Sequence, residues 1–208
     1  MDTVIKEERY ENGQLKLRFN YKNDKRDGLS EKWYENGKLM FRANYKNGEL
    51  DGLYEEWNEN GNLMFRINYK QGKLDGLYER YANTGQLVER INYKSNERDG
   101  MYTAWYPNGQ LMKSSSYKDG KLYGLVEEWH ENGQQSACIS YKNNVQHGLA
   151  ETWDKNGQLL DRSNWKDRVQ HGLSEMWFED GFVSKTYYID GVPYYLDELN
   201  YLLDYGLI

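Results

Sequence analysis

The sequence of 208 residues contains a single cysteine, Cys138, so no disulfide can form within the chain. A lone thiol is typical of a reducing compartment, and we expect a cytoplasmic location. Residues 1–10 contain no apolar run, and no stretch is long and apolar enough to span a membrane. We therefore expect neither a secretion signal nor a transmembrane segment.

An excess of positive charge is also missing. The formal net charge is −6 and the isoelectric point is near 5.2. Nonspecific binding to nucleic acid depends on a basic surface. Direct nucleic-acid binding is therefore not expected.

Apolar residues are scarce, but aromatic residues are not. The hydrophobic fraction is 38%, whereas aromatic residues reach 15% and include 20 tyrosines. Regular alternation and recurring turn residues argue against disorder in a chain this polar. The composition fits a thin sheet whose inner face is covered by aromatic rings.

The chain repeats one stretch with a period of 24 residues and no insertion between copies. Turn glycines recur at Gly13, Gly37, Gly61, Gly85, Gly109, Gly133, Gly157 and Gly181. A second series opens the copies at Gly28, Gly52, Gly76, Gly100, Gly124, Gly148 and Gly172. A fixed period of this length indicates a repeat architecture.

One copy, residues 52–75, shows what each repeat should form. Leu53–Trp57 is short and rich in aromatic residues, and Leu63–Tyr69 alternates apolar and polar side chains. Two such segments separated by Asn-Gly predict a β-hairpin. The loop Glu59–Gly61 fits a type I turn followed by a glycine in the left-handed conformation.

A loop of odd length joins odd-numbered positions to odd-numbered positions, and directly paired residues share a face of the sheet. Because 24 is even, odd positions should form one uniform inner face throughout. The predicted pairs are Trp57 with Leu63, Glu55 with Phe65 and, across the link between copies, Tyr69 with Leu77.

These features predict an all-β protein, an elongated single-layer antiparallel β-meander of about eight 24-residue hairpin repeats over residues 1–192. The repeats start near residues 4, 28, 52, 76, 100, 124, 148 and 172. A short helix is predicted over Tyr194–Tyr205, with Pro193 in its first turn. Residues 193–208 would then cap the end of the sheet, or alternatively dock a partner.

The pattern Gly-Leu-x-Glu-x-Trp, then Asn-Gly-x-Leu, then Tyr-Lys resembles the MORN-type repeat over about residues 4–192. It is most similar to the variant found in bacterial proteins labelled as antitoxins of the YwqK family. The resemblance implies an elongated single-layer sheet with an aromatic-lined groove. It also implies roles in protein scaffolding, lipid binding or toxin neutralisation.

Two columns on the predicted inner face are candidates for binding. One is a line of glutamates, which either accept hydrogen bonds beside the rings or receive a basic partner. The other is a line of tryptophans, which form packing contacts or binding hot spots. The candidate partner-binding residues are Glu55, Glu127, Glu151, Glu175, Trp57, Trp105, Trp129, Trp153, Trp177, Lys113 and Asp161.

Two columns of the repeat fall on the predicted outer face. We interpret them as solvated ladders of cross-strand hydrogen bonds. They are Arg18, Arg42, Arg66 and Arg90, and Asn20, Asn44, Asn68 and Asn92.

No set of residues in the sequence resembles a catalytic site. His147 and His171 lie one period apart and make a weak metal site without further ligands. We expect no enzyme activity, no cofactor and no bound metal.

The sequence favours a module that binds a protein, such as a toxin or an effector enzyme, and neutralises it. A structural scaffold or membrane-associated assembly module is the alternative, although negative charge disfavours anionic membranes. An acidic inhibitor that imitates nucleic acid is a further alternative.

Overall fold

The computed structural model describes residues 3–195, and the chain forms two compact units, Met1–Gly109 and Gln110–Ile208. Unit 1 contains nine strands: β1 (Thr3–Arg9), β2 (Leu15–Lys22), β3 (Lys25–Trp33), β4 (Leu39–Lys46), β5 (Glu49–Trp57), β6 (Leu63–Lys70), β7 (Lys73–Tyr81), β8 (Leu87–Lys94) and β9 (Glu97–Trp105). Each strand pairs antiparallel with the next along the chain.

Unit 2 has the same design. Its eight strands are β10 (Leu111–Lys118), β11 (Lys121–Trp129), β12 (Gln135–Lys142), β13 (Val145–Trp153), β14 (Leu159–Lys166), β15 (Val169–Trp177), β16 (Val183–Ile189) and β17 (Val192–Tyr194). They also pair antiparallel in chain order. The predicted all-β antiparallel class is thus confirmed for the described residues, and each unit is a single layer.

The loop within each hairpin is the predicted one. In the hairpin of β5 and β6, the Gly61 amide donates to the Asn58 carbonyl at 2.8 Å, and the Asn58 amide donates to the Asn62 carbonyl at 2.9 Å. Gly61 has φ +86°, in the left-handed region that disfavours a side chain. This confirms the three-residue loop Glu59–Gly61.

The links between hairpins are two-residue turns with positive φ at both positions. In the link between β4 and β5, Asn47 has φ +53° and Gly48 has φ +93°. These angles match a type I′ turn, whose twist suits neighbouring antiparallel strands. The last such link before β15 uses Asp167 and Arg168, with φ +52° and +73°.

The predicted register is only partly correct. Trp57 pairs with Leu63 as predicted, but a β-bulge follows and Glu56, not Glu55, pairs with Phe65. Met64 is the extra residue, so alternation along β6 is interrupted at that point. Glu55 consequently pairs with Arg66.

A second irregularity lies at each link. Tyr69 pairs with Leu74 rather than with the predicted Leu77, because the register shifts between Ile67 and Tyr69. Gly76 has φ +109° there, and the Asn68 side chain donates to the Leu77 carbonyl at 3.2 Å. Asn44 and Asn164 make the same contact with the Leu53 and Leu173 carbonyls, so these asparagines satisfy carbonyls that the shift leaves outside the strand ladder.

The two irregularities sort the side chains into faces that differ from the prediction. We call the face that carries Glu55, Arg66 and Trp57 the glutamate face, and the opposite face, which carries Tyr54 and Phe65, the tyrosine face. Glutamates and arginines, predicted on opposite faces, share one face. The uniform inner face of odd-numbered positions is therefore wrong.

The core of unit 1 is a thin row of side chains across the tyrosine face. Ala43 pairs with Tyr54, which pairs with Ile67, and Ala43 and Ile67 are buried. The rings beside them stack, with Phe41 and Tyr54 centroids 6.1 Å apart. In unit 2 smaller residues hold the equivalent row; its buried members are Ser115, Val126, Ala150 and Ser163.

The predicted start of the C-terminal helix is wrong. Pro193 and Tyr194 belong to strand β17, which pairs with β16. Proline fits there because it stands on a short strand at the end of the described sheet. The rest of the predicted helix, residues 196–205, lies outside the described residues. Within residues 3–195 no helix capable of crossing a membrane is found.

The link turn at Arg168 provides a test of the turn assignment. Arg168→Gly should raise the free energy of unfolding by roughly 0.5–1 kcal/mol, because a side chain is strained at positive φ. The converse control is Gly72→Arg, at the equivalent link position and with the same φ of +73°, which should destabilise. Urea unfolding followed by tryptophan fluorescence measures both, and a shift of the same sign in both variants contradicts the assignment.

Candidate protein-binding surface

The glutamate face of unit 1 carries a row of alternating carboxylates and guanidinium groups. Arg42 Nη2 lies 2.7 Å from Glu55 Oε2, and Arg66 Nε lies 3.0 Å from Glu55 Oε1. Arg66 also reaches Glu79 at 3.5 Å, and Arg90 contacts Glu79 at 2.7 Å. One glutamate column and one arginine column thus form a single row that neutralises its own charge.

Burial makes this row a structural element. Glu55 and Glu79 are each only 2% exposed, so an unpaired carboxylate at either position would be costly. The arginines are 43–50% exposed along their side chains, so their head groups stay partly hydrated. Glu55 and Glu79 are therefore shielded from a partner.

Glu79 shows how the row sets protonation. Burial acts to raise the pKa of Glu79, but hydrogen bonds from Tyr81 and Arg90 and the charges of Arg90 and Arg66 outweigh it and lower the pKa. The Tyr81 hydroxyl donates to Glu79 at 2.7 Å. Burial, this hydrogen bond and the carboxylate charge raise the pKa of Tyr81 to about 12.

The tryptophans lie beneath the arginines of the same face. The Arg42 guanidinium lies 5.6 Å from the Trp57 ring centroid, and Arg162 lies 6.0 Å from that of Trp177. Both distances are within the range of a cation–π contact. Each arginine thus pairs with glutamates beside it and covers an indole ring.

The equivalent row of unit 2 is incomplete. Arg162 contacts Glu151 at 2.7 Å and Glu175 at 3.8 Å, and Lys185 contacts Glu175 at 2.8 Å. At the two preceding arginine positions, however, the residues are Ser114 and Cys138. Both pair with Glu127, for which no ion pair is found within residues 3–195.

Apolar side chains are exposed beside this gap. Leu125 is 50% exposed and Leu149 is 41% exposed. They precede Glu127 and Glu151 by two residues, so they lie on the glutamate face. At the equivalent positions of unit 1, Leu53 and Leu77 are half-buried, whereas Leu29 is 38% and Met101 is 58% exposed. Unit 2 thus presents apolar area around an unpaired carboxylate.

The chain matches a model of a known protein family. A family model described as the MORN repeat variant matches residues 4–23, 26–47, 50–71, 74–95, 98–119, 122–143 and 146–167, more than half of the chain. The chain belongs to the MORN repeat variant family. Each match covers two strands that are consecutive in the chain. No curated protein matches the chain.

The seven matched MORN repeats leave one hairpin of the structure unmatched. Strands β15 and β16 pair from Trp177 with Val183 to Gly172 with Tyr188. This hairpin lacks the register shift found in the matched repeats, so Glu175 pairs with Lys185 directly. MORN repeats are generally modules that bind proteins or membranes.

The structure places most of the predicted site residues of this MORN protein on the glutamate face, and it places Lys113 and Asp161 on the tyrosine face. The glutamates at positions 55, 127, 151 and 175 and the tryptophans at positions 57, 153 and 177 belong to the glutamate face of their respective units. Trp105 and Trp129 stand at the ends of β9 and β11, at the repeat position of Trp57.

Lys113 and Asp161 were predicted on the same surface, and this is wrong. Each is adjacent in its strand to a member of the charged row and therefore points to the tyrosine face. Lys113 contacts Glu128 at 2.7 Å. Asp161 accepts a hydrogen bond from Ser163 at 3.1 Å. For Asp161 the cause is again the bulge, which reverses parity between β13 and β14.

Sequence reasoning missed the arginines as partners of the glutamates. A signal was available, because arginine follows glutamate by 11 positions at Glu7, Glu55, Glu79 and Glu151. Opposite charges at a constant spacing across a turn indicate cross-strand pairs. That spacing joins an odd to an even position, which also reveals the bulge.

The histidines lie at the links of unit 2. His147 Nδ1 lies 3.2 Å from Asp167 Oδ1, and His171 Nδ1 lies 3.2 Å from Asp190 Oδ1. In unit 1, Asp51 at the position of His147 accepts the Gln71 amide instead. Searching the described part of the chain finds no group of three or more residues suited to hold a metal.

Shallow clefts of about 300 and 350 Å³ occur at two links. The larger is lined by Lys46, Asn47, Glu49, Asp51 and Gln71. Their polar lining lacks the apolar walls typical of a small-molecule site. Exposed apolar side chains lie instead on the faces of the sheet, among them Leu125 and Leu149 on the glutamate face of unit 2.

Replacing a glutamate of the charged row with glutamine should cost more stability at Glu55, which is buried and paired, than at Glu127, for which no ion pair is found within residues 3–195. Glu55→Gln should lower the free energy of unfolding by roughly 1–2 kcal/mol, because two charge-assisted contacts are lost from a buried site while solvent screens the arginines. Glu127→Gln should change it by less than about 0.5 kcal/mol. Urea unfolding of both variants measures the difference, and equal costs would contradict the pairing.

The lowered pKa of Glu79 predicts that the free energy of unfolding depends on pH. Because its folded-state pKa is lowered, its stabilising contribution is present above the unfolded pKa and is lost as the pH falls through the folded value. Parent and Glu79→Gln should therefore differ most near neutral pH and converge in acid. Unfolding curves from pH 7 to pH 3 test this, and a constant gap refutes it.

Proposed function

We propose that this MORN protein is a non-enzymatic binding module that neutralises a toxin or another effector enzyme by covering its surface. The observation that carries the proposal is the difference between the two glutamate faces. In unit 1, Glu55 and Glu79 are buried and paired with arginines. In unit 2 a carboxylate without an ion pair lies beside exposed leucines.

The chemistry of this surface favours a protein partner. Exposed Leu125 and Leu149 offer apolar area, and the half-buried Trp153 lies on the same face. Tryptophan at the centre of an apolar patch is a frequent source of binding energy between proteins. The unpaired Glu127 adds a preference for a positively charged partner.

A membrane-associated scaffold is the second candidate, since MORN repeats are also linked to membrane binding. The open surface carries negative rather than positive charge, which disfavours anionic lipid surfaces. Imitation of nucleic acid needs a continuous exposed line of negative charge. The arginines of unit 1 interrupt that line at every second strand.

A tagged full-length chain used for capture from its native host at moderate salt tests the proposal. We expect one stoichiometric protein with enzymatic or toxic activity, and that activity should fall when the chain is added. Capture should weaken at high salt, because charge contributes to association. Self-association alone, or an undiminished activity of the captured protein, would overturn the proposal.

Two matched variants locate the surface. Leu125→Ser with Glu127→Gln should weaken binding to the captured protein at least tenfold, or about 1.4 kcal/mol. The control is Leu29→Ser with Glu31→Gln, at the same repeat positions in unit 1. Calorimetric titration measures both, and circular dichroism checks folding. Equal losses in both variants would move the binding surface away from unit 2.

A further inference from the structure

The charged row of unit 1 shows how this fold seats an arginine. Arg66 stands between Glu55 and Glu79 in register and contacts them at 3.0 and 3.5 Å. Arg162 stands in the same way between Glu151 and Glu175. Two glutamates from neighbouring strands thus bracket one guanidinium.

An indole ring completes this seat. Arg162 lies over Trp177, which is two residues after Glu175 on the same strand. Arg42 lies over Trp57, two residues after Glu55. The arrangement therefore has three parts: one glutamate on each side and a tryptophan below the guanidinium.

At Cys138 the three parts are present, but the arginine is not. Cys138 pairs with Glu127 on one side and with Glu151 on the other. Trp153 follows Glu151 by two residues, and within residues 3–195 no cation is found over its ring. The cysteine side chain is too short to carry a charge into this position.

The carboxylates of Glu127 and Glu151 create a negative potential at Cys138. Burial, and then the negative charges of Glu127 and Glu151, raise the pKa of the Cys138 thiol. A negative potential at this point is what a guanidinium neutralises at the equivalent Arg162. Glu151 also keeps its contact with Arg162, so Glu127 supplies the charge that lacks a partner.

We propose that Glu127, Glu151 and Trp153 form an open arginine seat, which receives an arginine side chain of the protein partner. This inference rests on the proposed function, because it names the chemistry that the binding surface recognises. Leu125 and Leu149 flank the seat and are exposed. The partner therefore presents an arginine between apolar side chains.

Arginine suits the seat better than lysine. Its planar guanidinium can bridge two carboxylates and stack on an indole at the same time. The chain itself uses arginine at this repeat position in Arg18, Arg42, Arg66, Arg90 and Arg162. Recognition would thus reproduce in trans a contact that the repeat makes in cis.

The lone thiol allows the seat to be probed without a known partner. Cys138 is treated in turn with three methanethiosulfonates: the cationic 2-aminoethyl, the neutral methyl and the anionic 2-sulfonatoethyl reagent. The Cys138 thiolate attacks the sulfenyl sulfur of the reagent. Each reaction forms a mixed disulfide on Cys138 Sγ and releases methanesulfinate. At low salt the cationic reagent should react roughly tenfold or more faster than the anionic one.

The control for this experiment is the double variant Glu127→Gln with Glu151→Gln, in which the rate ratio should fall toward one. The parent carrying the aminoethyl group should also unfold at a higher urea concentration than the parent carrying the methyl group. A rate ratio that is the same in parent and double variant would overturn the proposal.

Filling the seat from within the chain tests its use by the partner. Cys138→Arg should raise the urea midpoint and abolish binding of the protein captured from the host, whereas Cys138→Ser should leave binding unchanged. If Cys138→Arg binds as tightly as the parent, the seat is not used and this inference fails while the proposed function stands. If no protein is captured, the proposed function fails, and the reagent rates alone decide whether the seat accepts a cation.

Discussion

The β-bulge in the hairpins that begin with β1, β3, β5, β7, β11 and β13 is the constraint on which the rest of this structure depends. One extra residue, such as Met64 between Leu63 and Phe65, shifts the register by one position. Because side chains alternate along a strand, that single shift moves a whole column to the other face. Glutamate and arginine then meet across the strands, and the aromatic residues collect opposite them.

This arrangement allows a single layer to be stable without a conventional core. Buried Ala43 and Ile67 form only a thin row on the tyrosine face. On the other face, buried Glu55 is held by two arginines that remain in contact with water. A charged row of this kind can be extended from hairpin to hairpin, because each arginine serves the glutamates on both sides.

Because the row is regular, the positions at which an arginine is missing can be identified. Ser114 and Cys138 remove two arginines in unit 2, while the glutamates and tryptophans around Cys138 remain. Glu55 and Glu79 have arginine neighbours on both adjacent strands, whereas Glu127 has Ser114 and Cys138 instead. Exposed Leu125 and Leu149 lie on the same face, so apolar area adjoins this unpaired carboxylate.

The sequence by itself determined the period, the strands, the three-residue loop at Gly61 and the antiparallel order, because glycine spacing and alternation are local properties. It also contained the columns of glutamate, tryptophan and arginine. Only the tertiary structure decided which columns share a face. Parity gave the pairing of Trp57 with Leu63 correctly, but it failed one residue later, because a bulge depends on how two strands pair and alternation within one strand does not show it. Only the spacing of 11 residues between glutamate and arginine across the turn carried that signal. Lys113 and Asp161 were misplaced for this reason, and Arg66 was found beside Glu55 only when both strands were in place.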